Sequence, residues 1–572
     1  MCGISGIVGK DWGRDQLERM VKIQHHRGPD AQAFFWSDDN LTGLGHNRLS
    51  IIDLHEEANQ PFVSADGRFF LVFNGEIYNY PELRAELELN YPFRTASDTE
   101  VLLCAYQQWG TACLDRFIGM FAFAIWDNQD KKLFAARDRF GVKPFNYGTR
   151  NGNLYFASEI KALWEAGFPK NPNESVWAGY LVYGTYGMPE QTFWEGILQL
   201  PAGHFLEWEA GQITTTRWYD FVGRVKAMPN LSEKAATEQW TAIALESIRL
   251  RFRSDVPVGF NLSGGLDSSL LLALVHQLYP QGGAEAFTFF TQDERYDELP
   301  WVEEMIQLTR FPLNKVLLRP ESVPDLAEKV SWFEDEPFGG IPTLAYSKIF
   351  ERAREKGVIV LLDGQGMDEA WAGYDYYLKN TGALVQGSHS SPVRPECLVP
   401  AFRELAQKPV FPRPFDNDLQ NLQYRDLFFT KIPRALRFND RISMMHSTEL
   451  REPFLDHRLV ELAFSLPESL KIKNGQQKWL ARQIADTFLP DKVTLAPKRP
   501  LQTPQREWLQ ADLKPFIEHQ LEAYFGAFGE KWLLRDQVFK ELKEFTQQRT
   551  DNSFFIWQWL SLSWAIEEKI NA

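Results

Sequence analysis

The sequence predicts an α/β protein of two domains, the second built on a parallel sheet and ending in a helical part. Strand and helix patterns alternate between residues 256 and 362, as they do where helices cover a parallel sheet. Short β-favouring runs such as Phe69 to Phe73 and Phe121 to Trp126 are frequent before residue 200. Near the C-terminus, the apolar run from Phe554 to Leu560 is interrupted by polar residues. This run predicts a buried terminal helix and is too short to cross a bilayer.

Composition bounds the functions that are open to this chain. Its 572 residues are 44% hydrophobic, which is ample for large cores and excludes general disorder. The net charge of −15 argues against nucleic acid as a partner, because no basic excess exists to neutralise phosphates. The cysteines show no metal-binding spacing and fit a reducing compartment. With no signal peptide in view, we expect a cytoplasmic enzyme without membrane contact, and a homodimer is one open assembly state.

The parallel sheet is predicted element by element. The β-favouring run from Val256 to Asn261 enters a short polar loop, and an unbroken helical run follows from Leu270. Later strands are expected at Ala286 to Thr291, Lys315 to Leu318 and Val358 to Leu362, and helices at Leu299 to Leu308 and Thr343 to Glu355. Such sheets bind ligands beyond the carboxyl ends of their strands, so a binding site is expected there.

The loop after the first of these strands has the composition of a phosphate site. It places hydroxyl and backbone N–H groups at a helix N-terminus, where anions bind, and its two glycines allow close approach. Asp267 would repel phosphate unless a cation bridged the two, and Mg²⁺ suits that position. An ordinary Gly-Gly turn with a capping serine is the alternative. The predicted binding residues are Ser263, Gly264, Gly265, Asp267, Ser268 and Ser269.

A second wall of this site is predicted where the Val358 to Leu362 strand ends. Asp363 and Gly364 follow the strand directly, and Asp368 comes shortly afterwards. Asp368 could hold Mg²⁺ together with Asp267, since this hard cation prefers carboxylate and phosphate oxygens. An acidic pair at a helix N-terminus is the alternative interpretation of Asp368.

Cys2 is a candidate nucleophile at the other end of the chain. Removal of Met1 would leave Cys2 a free α-amine, with a reference pKa of about 7.7–8.0 against about 8.5 for the thiol. The amine could then take the thiol proton, so that one residue supplies nucleophile and base. A cysteine without any role is the alternative. Four motifs follow it in order: His26-Arg27-Gly28-Pro29-Asp30, Arg48-Leu49-Ser50, Asn74-Gly75-Glu76-Ile77-Tyr78-Asn79 and Ser97-Asp98.

This series resembles the class II, N-terminal-nucleophile glutamine amidotransferase domain. The resemblance implies a four-layer αββα sandwich in which Cys2 attacks the side-chain amide of glutamine and releases ammonia. Arg48 would bind the substrate carboxylate, while Glu76 and Asp98 would bind its ammonium group. Asn74 and the N–H of Gly75 would stabilise the tetrahedral oxyanion. In this family the pair His25 and His26 is not a catalytic base, and we interpret both as structural.

The second half resembles the synthetase domain of glutamine-hydrolysing asparagine synthetases, an ATP-pyrophosphatase-type domain. The Ser263-Gly264-Gly265 loop carries the resemblance, together with Asp363 to Tyr374, Glu449 to Asp456 and Ala496 to Pro500. It implies that ATP binds at the loop and that Leu262 and Phe289 flank the adenine. Lys498 would offset negative charge on the carboxylate being adenylated and on the leaving pyrophosphate.

The family match implies an asparagine synthetase, which passes ammonia to an aspartyl adenylate made from aspartate and ATP. We expect an amidotransferase domain over residues 1–210, a linker over 211–231 and a synthetase domain over 232–572. One departure stands out, because Gln365 replaces an acid that is usual in this loop. An amide cannot take up a proton. Either a neighbouring acid such as Asp363 or Glu369 substitutes, or the acceptor is another carboxylate, such as a cell-envelope or natural-product acid.

Overall fold

The N-terminal part contains two stacked antiparallel sheets. The structure is a computed structural model that describes residues 2–378, 391–496, 503–547 and 552–567. Within residues 2–217 each sheet has six strands. In spatial order the first consists of Leu198–Gln199, Asn146–Arg150, Asn153–Ala157, Gly3–Val8, Thr42–Arg48 and Ala31–Trp36. The second consists of Gln212–Arg217, His204–Glu209, Lys132–Arg137, Gly119–Asp127, Phe69–Ile77 and Phe62–Val63.

The facing surfaces of the two sheets form one apolar layer. Ile4 and Leu44 of the first sheet meet Val72 and Ala124 of the second, and all four are fully buried. Alternate residues of a strand point to opposite faces, so each sheet has a second face to cover. The helices Arg14–Ile23, Ile160–Glu165 and Glu174–Tyr183 lie on the side of the first sheet, and Tyr80–Leu87, Asp98–Trp109 and Cys113–Arg116 on that of the second. The predicted αββα sandwich is thus confirmed.

The second part is built on a parallel sheet, as the alternating pattern predicted. Within the described residues its strands, in spatial order, are Leu313–Leu317, Glu285–Phe290, Val258–Asn261, Val360–Leu362 and Glu449–Arg451. Helices flank it at Phe221–Ala227, Glu233–Arg251, Leu266–Leu278, Leu299–Thr309, Val323–Glu334, Ile341–Glu355, Met367–Ala370 and Asp375–Leu378. Because neighbouring strands run parallel, their carboxyl ends meet at one edge, where the predicted loops lie.

The remainder of the chain is largely helical. A hairpin of Ile472–Lys473 and Gln476–Gln477 interrupts these helices. The helices are Pro400–Arg403, Asp418–Phe428, Lys431–Met444, His457–Ser465, Glu468–Lys471, Trp479–Asp486, Asp491–Thr494, Gln505–Gln510, Lys514–Phe528, Arg535–Thr546 and Phe554–Glu567. The last is apolar around its circumference and buried from Phe555 to Trp564, as predicted for a terminal core helix. No helix of the described residues is long and apolar enough to cross a membrane.

Residue 211 lies between two strands of the second antiparallel sheet. Gln212–Arg217 is the edge strand of the second antiparallel sheet, and its partner is His204–Glu209. The helix Phe221–Ala227 then packs beside His457–Ser465, with Phe221 against Phe464 at 5.0 Å between ring centroids. The connection between the two domains therefore has regular secondary structure and packs against the second domain.

Candidate active sites

The first site surrounds Cys2, which precedes the central strand Gly3–Val8. Cys2 is 7% exposed, and its backbone N–H donates to Asn74 Oδ1 at 2.9 Å. Burial raises the pKa of the Cys2 thiol, whereas the N–H of Leu49 and the charge of Arg48 act in the opposite direction. The thiol is therefore neutral at pH 7 in this environment, so attack on a substrate needs a base, as the sequence analysis expected of an N-terminal nucleophile.

Asn74 and Gly75, the predicted oxyanion residues, lie near Cys2, since Asn74 Oδ1 accepts from its backbone N–H. The side-chain nitrogen Nδ2 of Asn74 is buried and has no hydrogen-bond partner among the described residues. Buried amide donors are nearly always paired, so this unpaired donor is available to an acceptor that binds near Cys2. Gly75 has φ of +152°, and a Cβ there would overlap the carbonyl oxygen of Met120. Only glycine fits this point of the strand.

Arg48 is fixed by a loop that accepts its hydrogen bonds. Its Nη1 donates to the carbonyl of His55 and to Asn59 Oδ1, both at 2.8 Å, and Nη2 donates to the carbonyl of Asp53. The side chain is 5% exposed, so its charge acts in a medium of low polarity. These bonds go to neutral acceptors, and binding of a substrate carboxylate by Arg48 stays a prediction.

Glu76 and Asp98 form the acidic part of the same pocket. Asp98 Oδ2 accepts from the N–H of Ile77 at 2.9 Å, and burial raises the pKa of Asp98 to about 6. Burial also raises the pKa of Glu76 well above its ordinary value, with further contributions from Glu449 and Asp98. Glu76 Oε2 is buried without a hydrogen-bond partner among the described residues. Arg451 Nη2 lies 3.5 Å from Glu76 Oε1, so the two acids share the pocket with a buried cation, and their binding of an ammonium group stays a prediction.

The second site lies at the carboxyl edge of the parallel sheet. The loop from Leu262 to Gly265 joins the strand Val258–Asn261 to the helix Leu266–Leu278. Ser263 Oγ and Ser268 Oγ are 3.0 Å apart, and the N–H of Ser263 donates to Ser268 Oγ at 3.2 Å. Ser263 to Ser268 line one pocket together with Asp363, Gly364, Gln365, Asp368, Tyr374 and Lys478. The two predicted walls therefore enclose one site.

Most of the predicted nucleotide-binding residues come together here. Asp363 is buried and accepts hydrogen bonds from Asn261 Nδ2 at 3.3 Å and from the hydroxyl of Tyr346 at 3.2 Å. Leu262 and Phe289 line a smaller adjoining cavity, and their place beside an adenine stays a prediction. Ser269 instead lies inside the helix, fully buried, and is not among the residues that line the pocket. Lys498 lies outside the described residues, so its role stays a prediction.

Lys478 lines this site but was not predicted from the sequence. Its ammonium Nζ lies 2.6 Å from Asp267 Oδ2 and 2.7 Å from Asp368 Oδ1. The side chain is buried, and the backbone has φ of +52°, an unusual conformation for a residue with a side chain. Gly373 packs so closely on this ion-paired group that a Cβ there would overlap both Asp368 and Lys478. Strained backbone and enforced close packing are typical of functional sites.

Lys478 directly follows the hairpin of Ile472–Lys473 and Gln476–Gln477. Asn474 and Gly475 form its turn with φ of +54° and +73°, as Asn-Gly turns do. Gln477 and Lys478 then enter the pocket, and the helix Trp479–Asp486 begins immediately afterwards. The Asn-Gly pair followed by a lysine was visible in the sequence, but its two carboxylate partners lie 211 and 110 positions away and only the fold brings them together.

Asp267 and Asp368 fit the predicted magnesium site. Both carboxylates converge on one cation, the ammonium of Lys478, so their oxygens already define a position for positive charge. The described residues contain no group of three or more His, Cys, Asp or Glu side chains arranged as metal ligands. A donor set of two carboxylates is what Mg²⁺ uses when nucleotide phosphates supply further ligands.

Comparison with known proteins identifies the family of both domains. Residues 1–219 match the model of the glutamine amidotransferase domain, and residues 242–567 match that of asparagine synthase. Asparagine synthetase [glutamine-hydrolyzing] 1 of Bacillus subtilis is 30% identical, covering 97% of this chain and 95% of its own length. Asparagine synthetase [glutamine-hydrolyzing] 3 of the same organism is 29% identical over 87% of this chain and 86% of its own, and amidase chry2 of Gibberella zeae is 28% identical over 89% and 90%. The chain belongs to the family of glutamine-hydrolysing asparagine synthetases.

Proposed function

We propose that this protein makes asparagine from aspartate, ATP and glutamine. The observation that carries the proposal is the presence of two chemically different sites in one chain. One is a buried cysteine beside an unpaired amide donor, and the other is a Ser-Gly-Gly loop facing a lysine held by two carboxylates. The first suits release of ammonia from an amide, and the second suits activation of an acid by a nucleotide.

In the first half-reaction the Cys2 sulfur attacks the side-chain carbonyl of glutamine. After removal of Met1, the free α-amine of Cys2 would accept the thiol proton, which burial holds on the sulfur. Asn74 Nδ2 and the N–H of Gly75 would donate to the developing oxyanion. Collapse of this adduct breaks the C–N bond and releases ammonia, and water then cleaves the thioester to give glutamate.

In the second half-reaction a carboxylate oxygen of aspartate attacks the α-phosphorus of ATP. Pyrophosphate leaves, and a mixed anhydride with AMP remains. Lys478 lies at this pocket with its charge fixed by Asp267 and Asp368, so it can neutralise phosphate charge as it is redistributed. Mg²⁺, when held by the same two carboxylates, would screen the phosphates of ATP. Ammonia then attacks the acyl carbon, and AMP leaves with the electron pair of the broken C–O bond.

A different acceptor carboxylate is the second candidate, and Gln365 favours it. This residue lines the nucleotide pocket beside Asp368 and Lys478 but cannot exchange a proton. The similarity to a protein named amidase chry2 also supports a wider range of products in this family. Both half-reactions would be kept, and only the acid that is adenylated would change.

One screen separates the two candidates. The protein is incubated with ATP, Mg²⁺ and glutamine, and pyrophosphate and AMP are measured for a panel of carboxylates that includes aspartate. Strong release with aspartate supports asparagine synthesis, whereas silence with aspartate and release with another acid supports the second candidate. Silence with every acid would contradict both.

Cys2→Ala tests the division into two sites. The variant is expected to lose glutamine-dependent amide formation, because the nucleophile is gone, and to keep synthesis from added ammonium salts. Loss of both activities in a variant that unfolds at the same temperature as the parent would contradict two separable sites.

A further inference from the structure

A small cavity lies between the two domains, close to both sites. Tyr78 and Met120 of the second antiparallel sheet region line one side, and Arg251, Glu452 and His457 line the other. Tyr78 follows the segment Asn74 to Ile77 of the glutamine pocket directly in sequence. The cavity therefore begins one residue beyond the strand that carries Asn74 and Gly75, and it reaches the second domain at Glu452.

Glu452 also adjoins the nucleotide site. It follows the strand Glu449–Arg451, whose neighbour Val360–Leu362 runs parallel to it. The N–H of Asp363 donates to the carbonyl of Arg451 at 2.9 Å, so Asp363 and Glu452 are the residues that lead out of two adjacent strands. Asp363 lines the nucleotide pocket, and Glu452 lines the interdomain cavity. Glu452 thus lies where the two spaces approach each other.

Within the described part of the chain, the carboxyl group of Glu452 makes no hydrogen bond or close ion pair. Glu452 is only 5% exposed. Buried acids are normally paired or hydrogen-bonded, because removal from water penalises them. A buried carboxyl group that faces a cavity without such a partner is available to a molecule that enters the cavity.

The charges around Glu452 are mixed. Burial raises the pKa of Glu452 to about 8; Lys143 and Arg251 oppose this shift, while Asp363 and Asp138 add to it. Arg139, His457 and the hydroxyl of Tyr78 also line the cavity, and burial lowers the pKa of His457 well below its ordinary value. At neutral pH this carboxyl group can therefore exchange a proton with a guest, because its two protonation states are similar in free energy.

We propose that Glu452 is the general base of amide formation, the group that takes the proton which ammonia must lose. The proposal rests on the function proposed above. When ammonia attacks the acyl adenylate, the C–N bond forms and the nitrogen carries one proton too many for an amide. That proton passes to the carboxylate of Glu452 while the C–O bond breaks and its electron pair leaves with AMP. Gln365 cannot accept the proton, whereas Glu452 can.

The test measures three quantities on Glu452→Gln and on the parent protein. They are glutamate released from glutamine, exchange of labelled pyrophosphate into ATP with the acceptor acid alone, and amide formed per glutamate released. Aspartate is the acceptor probe, or the acid that releases pyrophosphate in the screen above. We expect the amide-to-glutamate ratio to fall at least about tenfold, as for loss of a general base, with the first two quantities changed less than about twofold.

The pH profile separates a proton acceptor from a structural residue. In the parent protein the amide-to-glutamate ratio should rise as the pH increases through about 8, since the base acts only when ionised. In Glu452→Gln the amide-to-glutamate ratio should no longer rise with pH. In Glu452→Asp the ratio should be lower than in the parent protein but should still rise with pH. Glu461→Gln is the matched control, because this buried acid is already hydrogen-bonded by the hydroxyl of Tyr219 at 2.8 Å. It should leave the ratio unchanged.

Two outcomes would overturn the proposal. One is an unchanged ratio in a Glu452→Gln protein that still releases glutamate and exchanges pyrophosphate. The other is an equal fall of all three quantities, which a purely structural role would produce. If Glu452→Gln does not fold, the pH profile of the parent protein is the test. A parent amide-to-glutamate ratio that does not rise near pH 8 then refutes the proposal. Failure of the proposed function is distinct, because the parent protein itself would then exchange no pyrophosphate.

Discussion

Arg27 and Asp440 form a bidentate ion pair across the interface of the two domains. Arg27 Nη1 and Nη2 donate to the two carboxylate oxygens of Asp440 at 2.9 and 3.1 Å. The same guanidinium donates from Nε to the carbonyl of Cys2 at 3.1 Å and from Nη1 to Glu159 at 2.9 Å. A carboxylate of the second domain therefore helps to hold the backbone of the nucleophile in the first.

Asp440→Ala is expected to destabilise the protein by about 3–5 kcal/mol, because it leaves the charge of Arg27 buried with one partner fewer. Asp440→Asn keeps the shape and should cost less. In both variants the rate of glutamate release should fall, since the carbonyl of Cys2 is less well fixed. Denaturant unfolding and a glutaminase assay provide the measurements.

Asp418→Ala is the control for that experiment. Asp418 pairs with Arg413, and both side chains are 60% exposed, so this pair should contribute little. An Asp440→Ala protein as stable as the control, with full glutaminase activity, would show that the interdomain pair neither stabilises the interface nor positions Cys2.

Asn74→Ala should lower kcat for glutamine hydrolysis by about 10²–10³-fold, the usual effect of losing one oxyanion donor. The KM for glutamine should change much less, because the donor acts mainly in the transition state. Steady-state kinetics of glutamate release measure both quantities.

Asn74→Asp is the matched variant, since it keeps an oxygen that can accept from the N–H of Cys2 and removes the amide donor. We expect it to be as impaired as Asn74→Ala. A nearly normal kcat for Asn74→Asp would mean that Asn74 serves only to hold the backbone of Cys2.

Much of the first site could be predicted because the short motifs that follow Cys2 resemble those of a known amidotransferase domain. Cys2, Asn74 and Gly75 lie at strand ends or within strands of two adjacent sheets. The Ser263 to Gly265 loop was likewise recognisable, since a β-favouring run, two glycines and a helix follow one another directly. In both cases local order along the chain carries the chemical information.

Lys478 and Asp440 could not be assigned in that way. Their partners are 211 and 413 positions distant, and nothing in the neighbouring sequence identifies either contact. Lysine is usually exposed, so an isolated Lys after an Asn-Gly turn is an unremarkable surface residue by pattern alone. Only the folded chain places it as a buried cation between Asp267 and Asp368.

Lys478→Met is expected to reduce acceptor-dependent exchange of pyrophosphate into ATP by at least about 100-fold, because a fixed positive charge is removed from the phosphate pocket. Lys478→Arg should restore little, since a planar guanidinium does not replace a compact ammonium between Asp267 and Asp368. Glutamate release should stay within about twofold of the parent in both variants, because the other site is untouched.

Lys492→Met is the control for the exchange assay. Lys492 pairs with Glu304 at 2.8 Å and is largely exposed, so its loss should leave exchange unchanged. Undiminished exchange in Lys478→Met would contradict a role for this lysine in adenylation and would favour a purely structural ion pair.

The KM for glutamine should depend on pH through the buried acid Asp98 of the glutamine pocket. Burial raises the pKa of Asp98 to about 6, and only its ionised form attracts the ammonium group of glutamine. The KM for glutamine should therefore rise as the pH falls through about 6. Asp98→Asn should show a raised KM already at pH 8, with a weaker dependence on pH below it. Steady-state kinetics between pH 5 and pH 8 measure both effects.

The free energy of unfolding should also depend on the ionisation of Asp98. Ionisation favours glutamine binding but should lower the stability of the protein. The native pKa of Asp98 lies above the reference value of about 3.9 for an unfolded chain, so the native state binds the proton more tightly. The contribution of Asp98 to the free energy of unfolding therefore decreases as the pH rises from about 4 to about 6 and is fully lost above that range. Asp98→Asn should flatten this part of the stability profile, whereas Asp115→Asn at an exposed position should not. A KM for glutamine that is constant from pH 5 to pH 8 in the parent protein would exclude Asp98 as an ammonium ligand, because burial fixes the pH at which its charge appears.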